Sequence, residues 1–461
     1  MAKRTEDRRT RRGSWVLAAL VTATVGLGTA GCDFDEILAV DLPGQVLGED
    51  LENPELATIL VRSVISDLEC AWANYAAAAA HHGDEYMNSS GNLWFRNWGQ
   101  RRIEANDERF SSATCGTPYS FYGPLHTARF QAEDVYNRLT AETFAGTPNM
   151  ERNLATIRTY GAYALVGLGE GFCEMSVPER EGEPGPLMTP TQVLEKADAR
   201  FSEAITLAQQ ANDNAILNLA LVGRARVRLN LGNYQGVIAD ASAVTPGFER
   251  SVTRSDSSTR RYNFVYNYLN SRVQARHGTI SLHFRGLTID DDGRPTIEDG
   301  VEDSRLITFP VGNLAGHNGT TPSWFHERNT SRSTPMVLAS YREVRLMHAE
   351  ALTHTGDVEG ARALINERRV ELGLPTFDLP ASQAEMIDLI LAERSRELFA
   401  EGGHRLNDML RYRGTAHEIP FLGEPGSIHP DGLDTIGAAY GDTTCYPLPS
   451  VERIGNPNIG G

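Results

Sequence analysis

The sequence predicts a mostly α-helical protein, a tetratricopeptide-like superhelix of helical hairpins with a long irregular, β-containing insertion and an irregular C-terminal tail. Three observations predict this architecture. Runs of helix-forming residues fill the first half of the chain, a glycine-centred helical pattern occurs twice, and residues 246–335 and 416–461 lack helical periodicity. A chain of this length can bury a large core, and we expect residues 55–461 to form a single domain.

The first 31 residues have the layout of an export signal. Residues 1–12 carry six Lys or Arg, residues 15–25 are apolar apart from two threonines, and residues 28–31 are all small. The apolar core is too short for a comfortable membrane span. We therefore predict that residues 1–31 are a signal peptide.

Two cleavage modes fit the end of this signal. Residues 28–30 suit an ordinary signal peptidase, whereas residues 29–32 (TAGC) resemble a bacterial lipobox, in which the cysteine is acylated. The chain has five cysteines, and lipid on Cys32 would leave four that can pair in an oxidising compartment. We therefore expect a lipidated Cys32, a tether and leader over residues 32–54, and lipid as the only membrane anchor.

The four remaining cysteines are Cys70, Cys115, Cys173 and Cys445, for which three connectivities are open. Pairing Cys70 with Cys115 and Cys173 with Cys445 would join a loop or the tail to a helix in each case, so we favour it over the two alternatives. No C-x-x-C pair occurs, which argues against a zinc site, and we expect no metal.

The charge of the chain limits its partners. Without residues 1–31 the sequence has 37 basic and 58 acidic residues. This acidic balance argues against nucleic acid and against an anionic membrane surface as binding partners.

Helices are predicted along the first half of the chain from composition and amphipathic periodicity. They cover residues 55–80, 118–141, 152–175 and 191–211.

Two later segments, residues 214–244 and 341–369, share one pattern of helix, glycine and helix. Small residues lie seven positions before and after each glycine. The aligned positions are Ala225, Gly232 and Ala239 in the first segment and Ala349, Gly356 and Ala363 in the second. The glycine would make the tight turn and the alanines would let the helices approach, as in tetratricopeptide hairpins, although two unrelated helix pairs could also produce this pattern.

The insertion at residues 246–335 has a different character, rich in Ser, Thr, Arg, Asp and Gly. Residues 279–289 alternate like a β-strand, and Asp292-Gly293 has the composition of a hairpin turn.

The run AEMIDLILAERSRELFAEGGHRLNDMLRYR, residues 384–413, places charged residues at set spacings. These are Glu393-Arg394, Arg396-Glu397-Leu398, Glu401-Gly402, Arg405, Asp408 and Arg411, with supporting matches at 345–350, Gly356, 365–366, Arg368, 373–375, 446–449 and 456–458. The pattern resembles the signature helix of the SusD/RagB family of outer-membrane nutrient-binding lipoproteins. The resemblance implies a SusD-like domain with helical repeats at 55–245 and 336–415.

The charged residues of this run are expected to form structural ion pairs. Glu401 and Arg405 are spaced i,i+4, and Asp408 and Arg411 are spaced i,i+3. Glu397 and Glu401 also have the spacing of a glycosidase acid pair, but the interleaved arginines favour the structural interpretation.

Most of the first-rank candidate ligand-binding residues lie in a predicted loop, NLWFRNWGQRR, at residues 92–102. Aromatic rings stack on sugar rings, and arginines donate hydrogen bonds to hydroxyl groups or carboxylates. The alternative interpretation is that the tryptophans of this segment are buried in the core and bind no ligand. The candidates are Trp94, Phe95, Arg96, Trp98, Arg102 and Trp324, followed by Phe325, Tyr262, Phe264, Tyr266 and Tyr268.

No catalytic motif occurs in the sequence, and we expect neither catalytic residues nor a cofactor. The resemblance implies a lipid-anchored protein of the outer membrane, on the cell surface. It would capture an oligosaccharide or peptide and deliver it to a TonB-dependent SusC-like transporter. The alternatives are a lipid-anchored scaffold in envelope assembly and a surface glycosidase.

Overall fold

The computed structural model describes residues 50–459, except residues 113, 179–182, 274, 293 and 297–299. All described residues belong to one compact unit. The predicted signal peptide 1–31, Cys32 and most of the predicted leader 32–54 lie outside the described residues.

Helices dominate the described part of the chain, which confirms the predicted fold class. They are α1 (Ala57–His82), α2 (Leu93–Gly99), α3 (Glu108–Ser111), α4 (Tyr122–Leu139), α5 (Met150–Gly171), α6 (Pro190–Gln210), α7 (Asn214–Asn230), α8 (Tyr234–Ala243), α9 (Tyr341–His354), α10 (Val358–Glu371), α11 (Gln383–Glu397), α12 (His404–Arg411) and α13 (Ser450–Gly455).

The core lies around α1 and α5, which are buried over most of their length. Their sequences allow this because alanines and glycines leave room for the neighbouring helices. Helix α6 packs against α5, and its start is fixed by the sequence Thr189-Pro190. The Thr189 side chain and Gln192 form a reciprocal capping box, and Pro190 is the first helical residue.

The two predicted hairpins are the pairs α7–α8 and α9–α10. Gly232 and Gly356 adopt left-handed φ values of 69° and 94° at the turns, as the glycine pattern predicts. Ala225 and Ala349 are fully buried where the paired helices approach.

The second alanine of each predicted pattern has a different position. Ala239 and Ala363 are exposed, and the second helices contact the core through Val237 and Ile365 instead. The seven-residue spacing therefore placed the second small residue on the wrong face of its helix.

Of the short strands in the described chain, seven lie in the insertion and four lie outside residues 246–335. They are β1 (Tyr86–Asn88), β2 (Met175–Ser176), β3 (Leu187–Met188), β4 (Glu249–Val252), β5 (Gly278–Ile280), β6 (Thr288–Ile289), β7 (Pro295–Thr296), β8 (Val301–Glu302), β9 (Thr308–Ala315), β10 (Pro322–His326) and β11 (Met336–Ser340). Four two-stranded pairs, β1–β5, β9–β10, β4–β11 and β2–β3, and one three-stranded sheet, β7–β6–β8, are formed among the described residues.

The continuous strand predicted over residues 279–289 is wrong. The chain leaves β5 after Ile280 and makes a single 3-10 turn that buries Phe284 beside Phe399, with the ring centroids 5.0 Å apart. It then enters β6, which pairs with β7. The turn predicted at Asp292-Gly293 falls between these strands, although Gly293 lies outside the described residues.

The run at 384–413 forms two helices with a break at residues 398–403. Gly402 and Gly403 have φ values of 55° and 78°. A Cβ atom on Gly402 would lie 2.7 Å from the ring of Trp72, and one on Gly403 would lie 2.8 Å from the hydroxyl of Tyr75. These glycines therefore let the break pack against α1.

The break separates one of the two predicted ion pairs. Glu401 lies outside the helices and pairs with Arg328 at 3.2 Å, while Arg405 pairs with Asp84 at 2.6 Å, so the predicted Glu401–Arg405 pair is wrong. The Asp408–Arg411 pair forms within α12 at 2.6 Å.

The C-terminal tail lies against the helical core. Tyr446 is fully buried, its N–H donates to the carbonyl of Gly171, and its carbonyl accepts from the N–H of Cys173. Disulfides join Cys173 to Cys445 and Cys70 to Cys115, which is the pairing favoured from the sequence.

Candidate ligand-binding site

The predicted aromatic loop is largely a helix. Asn92 caps α2 by accepting hydrogen bonds from the N–H groups of Trp94 and Phe95. Trp94, Phe95 and Trp98 are only 9, 6 and 0 % exposed. The expectation of an open stacking platform is therefore corrected, because these three rings belong to the core.

Contacts explain the burial of the two tryptophans. The ring of Trp98 lies 5.0 Å from that of Tyr119 and 5.5 Å from that of Tyr446. The indole N–H of Trp94 donates to Asp107 at 2.6 Å, and the guanidinium of Arg109 covers the ring at 4.8 Å. The indole N–H of Trp94 and the ring faces of both tryptophans therefore already contact other parts of the protein.

The other three first-rank candidates lie nearer the surface. Arg102 is exposed and donates to the carbonyl of Ala439, and Arg96 is half-buried in α2. Trp324 is half-buried in β10, beneath the guanidinium of Arg285 at 5.2 Å. Among the described residues, no ring contact joins Trp324 to the rings of α2.

A more open site lies in the insertion, where a cavity of about 260 Å³ is formed by two chain segments. Its lining residues are Asp256, Tyr266, Ser271, Val273, Ser331, Arg332 and Ser333. We call this cavity the insertion pocket. It combines a tyrosine ring with its hydroxyl group, three serine hydroxyl groups, a carboxylate and a guanidinium, which is the composition that binds polar ring-shaped ligands.

The two walls of the insertion pocket are tied together by buried asparagines. Asn263 donates from its backbone to the carbonyl of Arg332 at 2.8 Å and from its side chain to the amide oxygen of Asn329 at 2.7 Å. Its own amide oxygen accepts from the N–H of Tyr266 at 3.0 Å. Asn270 adds a hydrogen bond to the carbonyl of Asn329 at 2.6 Å. The pocket is therefore a fixed feature of the insertion.

Unusual backbone surrounds the pocket. Tyr266 lies in a π-helix, Val265–Asn270, a rare conformation that is frequent at functional sites. Ala275 and Arg276, which follow the pocket wall, have φ values of 62° and 52°. Non-glycine residues in this left-handed region store strain, which is also concentrated at binding sites.

Three of the aromatic residues predicted as ligand contacts, Phe95, Phe264 and Tyr268, instead pack beneath the π-helix that carries Tyr266. Tyr268 stacks on Phe264 at 5.1 Å and lies 5.3 Å from Phe95. The π-helix that carries Tyr266 is thus seated on the aromatic core formed around α2. Alternating aromatics at 262–268 signalled this segment in the sequence, whereas Asp256, Ser331 and Arg332 carried no local signal.

Neighbouring side chains fix the position of Arg332, the cation that lines the insertion pocket. Arg332 donates from Nε to the amide oxygen of Asn267 at 2.9 Å, and its guanidinium lies 4.5 Å from the ring centroid of Tyr262. Val273, 76 % exposed, provides an apolar edge. A bound ring could therefore meet Tyr266 and Val273 with its faces and Arg332 with its hydroxyl groups.

The carboxylates considered as a glycosidase pair are engaged by arginines. Glu397 is buried and pairs with Arg368 at 2.9 Å, while Glu401 pairs with Arg328. Charge from Arg368 and its hydrogen bond outweigh burial and lower the pKa of Glu397, whereas burial raises the pKa of Glu401. This arrangement accords with the structural interpretation of the pair.

The adjacent histidines at the end of α1 have structural roles. His81 and His82 end α1 as buried side chains, bonded to the hydroxyl of Tyr119 and the carbonyl of Thr444, and burial lowers their pKa values to about 3 and 4. The described residues contain no group of His, Cys, Asp and Glu arranged to hold a metal ion. None of the described helices is both long and apolar enough to span a bilayer.

Known proteins resemble this chain in sequence and fold. A sequence profile of the SusD family matches residues 322–440, which include Trp324, Arg332 and the charged helices. Among curated protein sequences, none matches the chain.

Solved structures match most of the chain. A SusD superfamily protein from Bacteroides vulgatus is 12 % identical, with a TM-score of 0.65 over 88 % of this chain and 98 % of its own. Surface glycan-binding protein A from Bacteroides uniformis is 13 % identical, with the same TM-score and coverage. A laminarin-binding SusD-like protein is 14 % identical, with a TM-score of 0.60 over 88 % of this chain and 98 % of its own. The resemblance of the sequence to the SusD/RagB family is therefore confirmed, by sequence over residues 322–440 and by fold over the described chain.

Proposed function

We propose that this protein is a non-catalytic lipoprotein of the outer membrane that captures a nutrient oligomer outside the cell. The ligand is a glycan or a peptide, with a glycan favoured. The protein is anchored by lipid on Cys32 and delivers the ligand to a TonB-dependent SusC-like transporter, over which it closes as a lid.

The insertion pocket is the single observation that carries the binding part of this proposal. Its volume of about 260 Å³ lies just below the range of roughly 300–1,000 Å³ typical of small-molecule sites. It therefore takes one ring or one side chain of a longer chain, while the rest of the oligomer runs along the surface. Half-buried Trp324 is a second candidate contact for that remainder.

Relatives support the choice of a saccharide. Of the solved proteins with this fold, one is described as laminarin-binding and another as a surface glycan-binding protein. The acidic balance of the chain and the absence of a sequence motif for catalysis agree with capture of a largely uncharged ligand without turnover.

Binding by the insertion pocket can be tested with a glycan and peptide array, followed by titration calorimetry with the strongest ligand. Tyr266→Ala should weaken binding by roughly 1–3 kcal/mol if the ring stacks on the ligand, and Tyr266→Phe should retain most of the affinity. Because Tyr266 is half-exposed, both variants should keep a melting temperature near that of the wild type.

Tyr234→Ala is the matched control, since this half-exposed tyrosine lies in α8 among the helical repeats. It should leave affinity unchanged. Equal affinity of wild type and Tyr266→Ala would refute the assignment of the pocket, and hydrolysis of any array glycan would refute the non-catalytic part of the proposal.

A further inference from the structure

A second cavity, of about 490 Å³, lies between α4, α5 and α6 in the helical repeats, and it shares no lining residue with the insertion pocket. We call it the repeat cavity. It is lined by Arg129, Glu133, Asn137, Arg158, Leu165, Val177, Pro178, Lys196, Ala199 and Arg200. Among the described lining residues, four are cationic and one is anionic, in a chain whose net charge is −17.

Most of the charge around the repeat cavity is already paired. Glu133 binds Arg158 at 2.6 Å and Arg200 at 2.7 Å through separate carboxylate oxygens. Glu203 binds the same two arginines at 2.6 and 2.8 Å. These two carboxylates and two guanidinium groups form a closed cluster on one side of the cavity.

Arg129 is outside this cluster. It is 6 % exposed, and its only hydrogen bond to a described residue runs from Nη1 to the carbonyl of Pro178 at 2.9 Å. Its Nε is buried without a hydrogen-bond partner. No carboxylate among the described residues lies within ion-pair distance of it, although the charge of Glu133 acts on it from farther away.

Such a group is costly for a folded protein. An ionised side chain removed from water needs an opposite charge and hydrogen bonds to compensate its lost hydration. Burial lowers the pKa of Arg129 from its ordinary value, although a guanidinium stays protonated at neutral pH. The guanidinium of Arg129, which lines the cavity without an ion-pair partner among the described residues, is therefore complementary to an anion.

We propose that the repeat cavity binds an anionic group, a carboxylate or a sulfate, through the guanidinium of Arg129. An oxygen of such a group can accept a charge-assisted hydrogen bond from a terminal nitrogen of this guanidinium, which is stronger than a bond between neutral groups. Leu165 and Val177 provide apolar wall for the body that carries the anion. The site is separate from the insertion pocket, and the proposal does not depend on saccharide binding there.

Calorimetric titration of the purified protein with glucuronate, inorganic sulfate and glucose tests this inference. Wild type should bind glucuronate or sulfate and not glucose at this site. Arg129→Gln should weaken anion binding by at least about tenfold, the loss of one charge-assisted hydrogen bond. Binding of only one anion would assign the site to a carboxylate or to a sulfate.

Arg152→Gln is the control for general charge effects, because Arg152 lies on α5 but is 62 % exposed and outside the cavity. Its affinity for the anion should equal that of wild type. Absence of millimolar anion binding, or equal weakening by Arg129→Gln and Arg152→Gln, would overturn the proposal.

Thermal melting separates loss of binding from loss of folding. Without anion, Arg129→Gln should melt no lower than wild type, since it removes a buried charge that has no ion-pair partner among the described residues. Added anion should raise the melting temperature of wild type and not that of Arg129→Gln. An anion-dependent shift of equal size in both proteins would place the anion elsewhere and overturn the assignment.

Discussion

Removal of the Cys173–Cys445 disulfide should destabilise the protein strongly, because this bond closes the longer of its two cross-linked loops. The half-cystines are 272 residues apart, against 45 for Cys70–Cys115. The chain-entropy expression gives about 5–6 kcal/mol for the longer loop, about 1.6 kcal/mol more than for the shorter one. Cys173 is exposed and Cys445 half-exposed, so replacing both by serine removes little packing.

The double variant Cys173→Ser/Cys445→Ser can be compared with wild type by urea denaturation, with unfolding monitored by tryptophan fluorescence and by circular dichroism. If both signals give the same unfolding transition, unfolding is two-state and the difference in free energy of unfolding can be calculated. We expect a loss of about 3–6 kcal/mol, the upper part of the range for native disulfides. A loss below about 1 kcal/mol, with the bond verified in wild type by peptide mapping, would refute the reasoning.

Mild reduction provides the control for this experiment. The exposed Cys173 sulfur should be reduced first, and reduced wild type should then match the double variant in stability. Cys70 and Cys115 are buried, so the same reductant should leave the stability of the double variant unchanged. Destabilisation of the double variant by mild reductant would show that the shorter disulfide is accessible, contrary to its burial.

Two further predictions concern the anchor and a buried acid. Wild type should incorporate labelled palmitate and Cys32→Ala should not, and equal labelling of both would indicate simple secretion. Burial raises the pKa of Glu85 from 4.5 to about 8. Between these pH values the native state retains a proton that the unfolded chain releases. The free energy of unfolding should therefore fall as pH rises from 4.5 to 8, by up to about 5 kcal/mol. Glu85→Gln, neutral throughout, should flatten this decline in urea denaturation at pH 5, 6.5 and 8, and identical pH slopes would contradict the assignment.

Helices and hairpin turns could be predicted from the sequence because their determinants are local. Gly232 and Gly356 occupy turns that require a left-handed backbone, and the sequence marks both positions. The cysteine pairing was also accessible, because each bond was expected to join a loop or the tail to a helix, although Cys173 lies two residues beyond the end of α5. Periodicity did not, however, decide which face of the second helix packs inward, and Ala239 and Ala363 are therefore exposed.

The errors at the candidate site have a common physical cause, which is that tertiary partners override local pattern. Trp94 and Trp98 lie in a polar sequence that reads as a loop, yet Asp107 accepts hydrogen bonds from both indole N–H groups and allows their burial. In the same way, Arg405 pairs with Asp84, more than three hundred residues away, instead of with its neighbour Glu401.

The insertion pocket shows the limit of local inference most directly. Its walls are the segments around Tyr266 and Arg332, which are joined through Asn263 and Asn329. Asparagine in an irregular segment ordinarily signals a turn, and nothing in the local sequence distinguishes one that ties two segments together. A polar insertion between helical repeats can therefore carry a fixed binding surface without any hydrophobic pattern, since buried amides supply the order that apolar periodicity supplies in the helices.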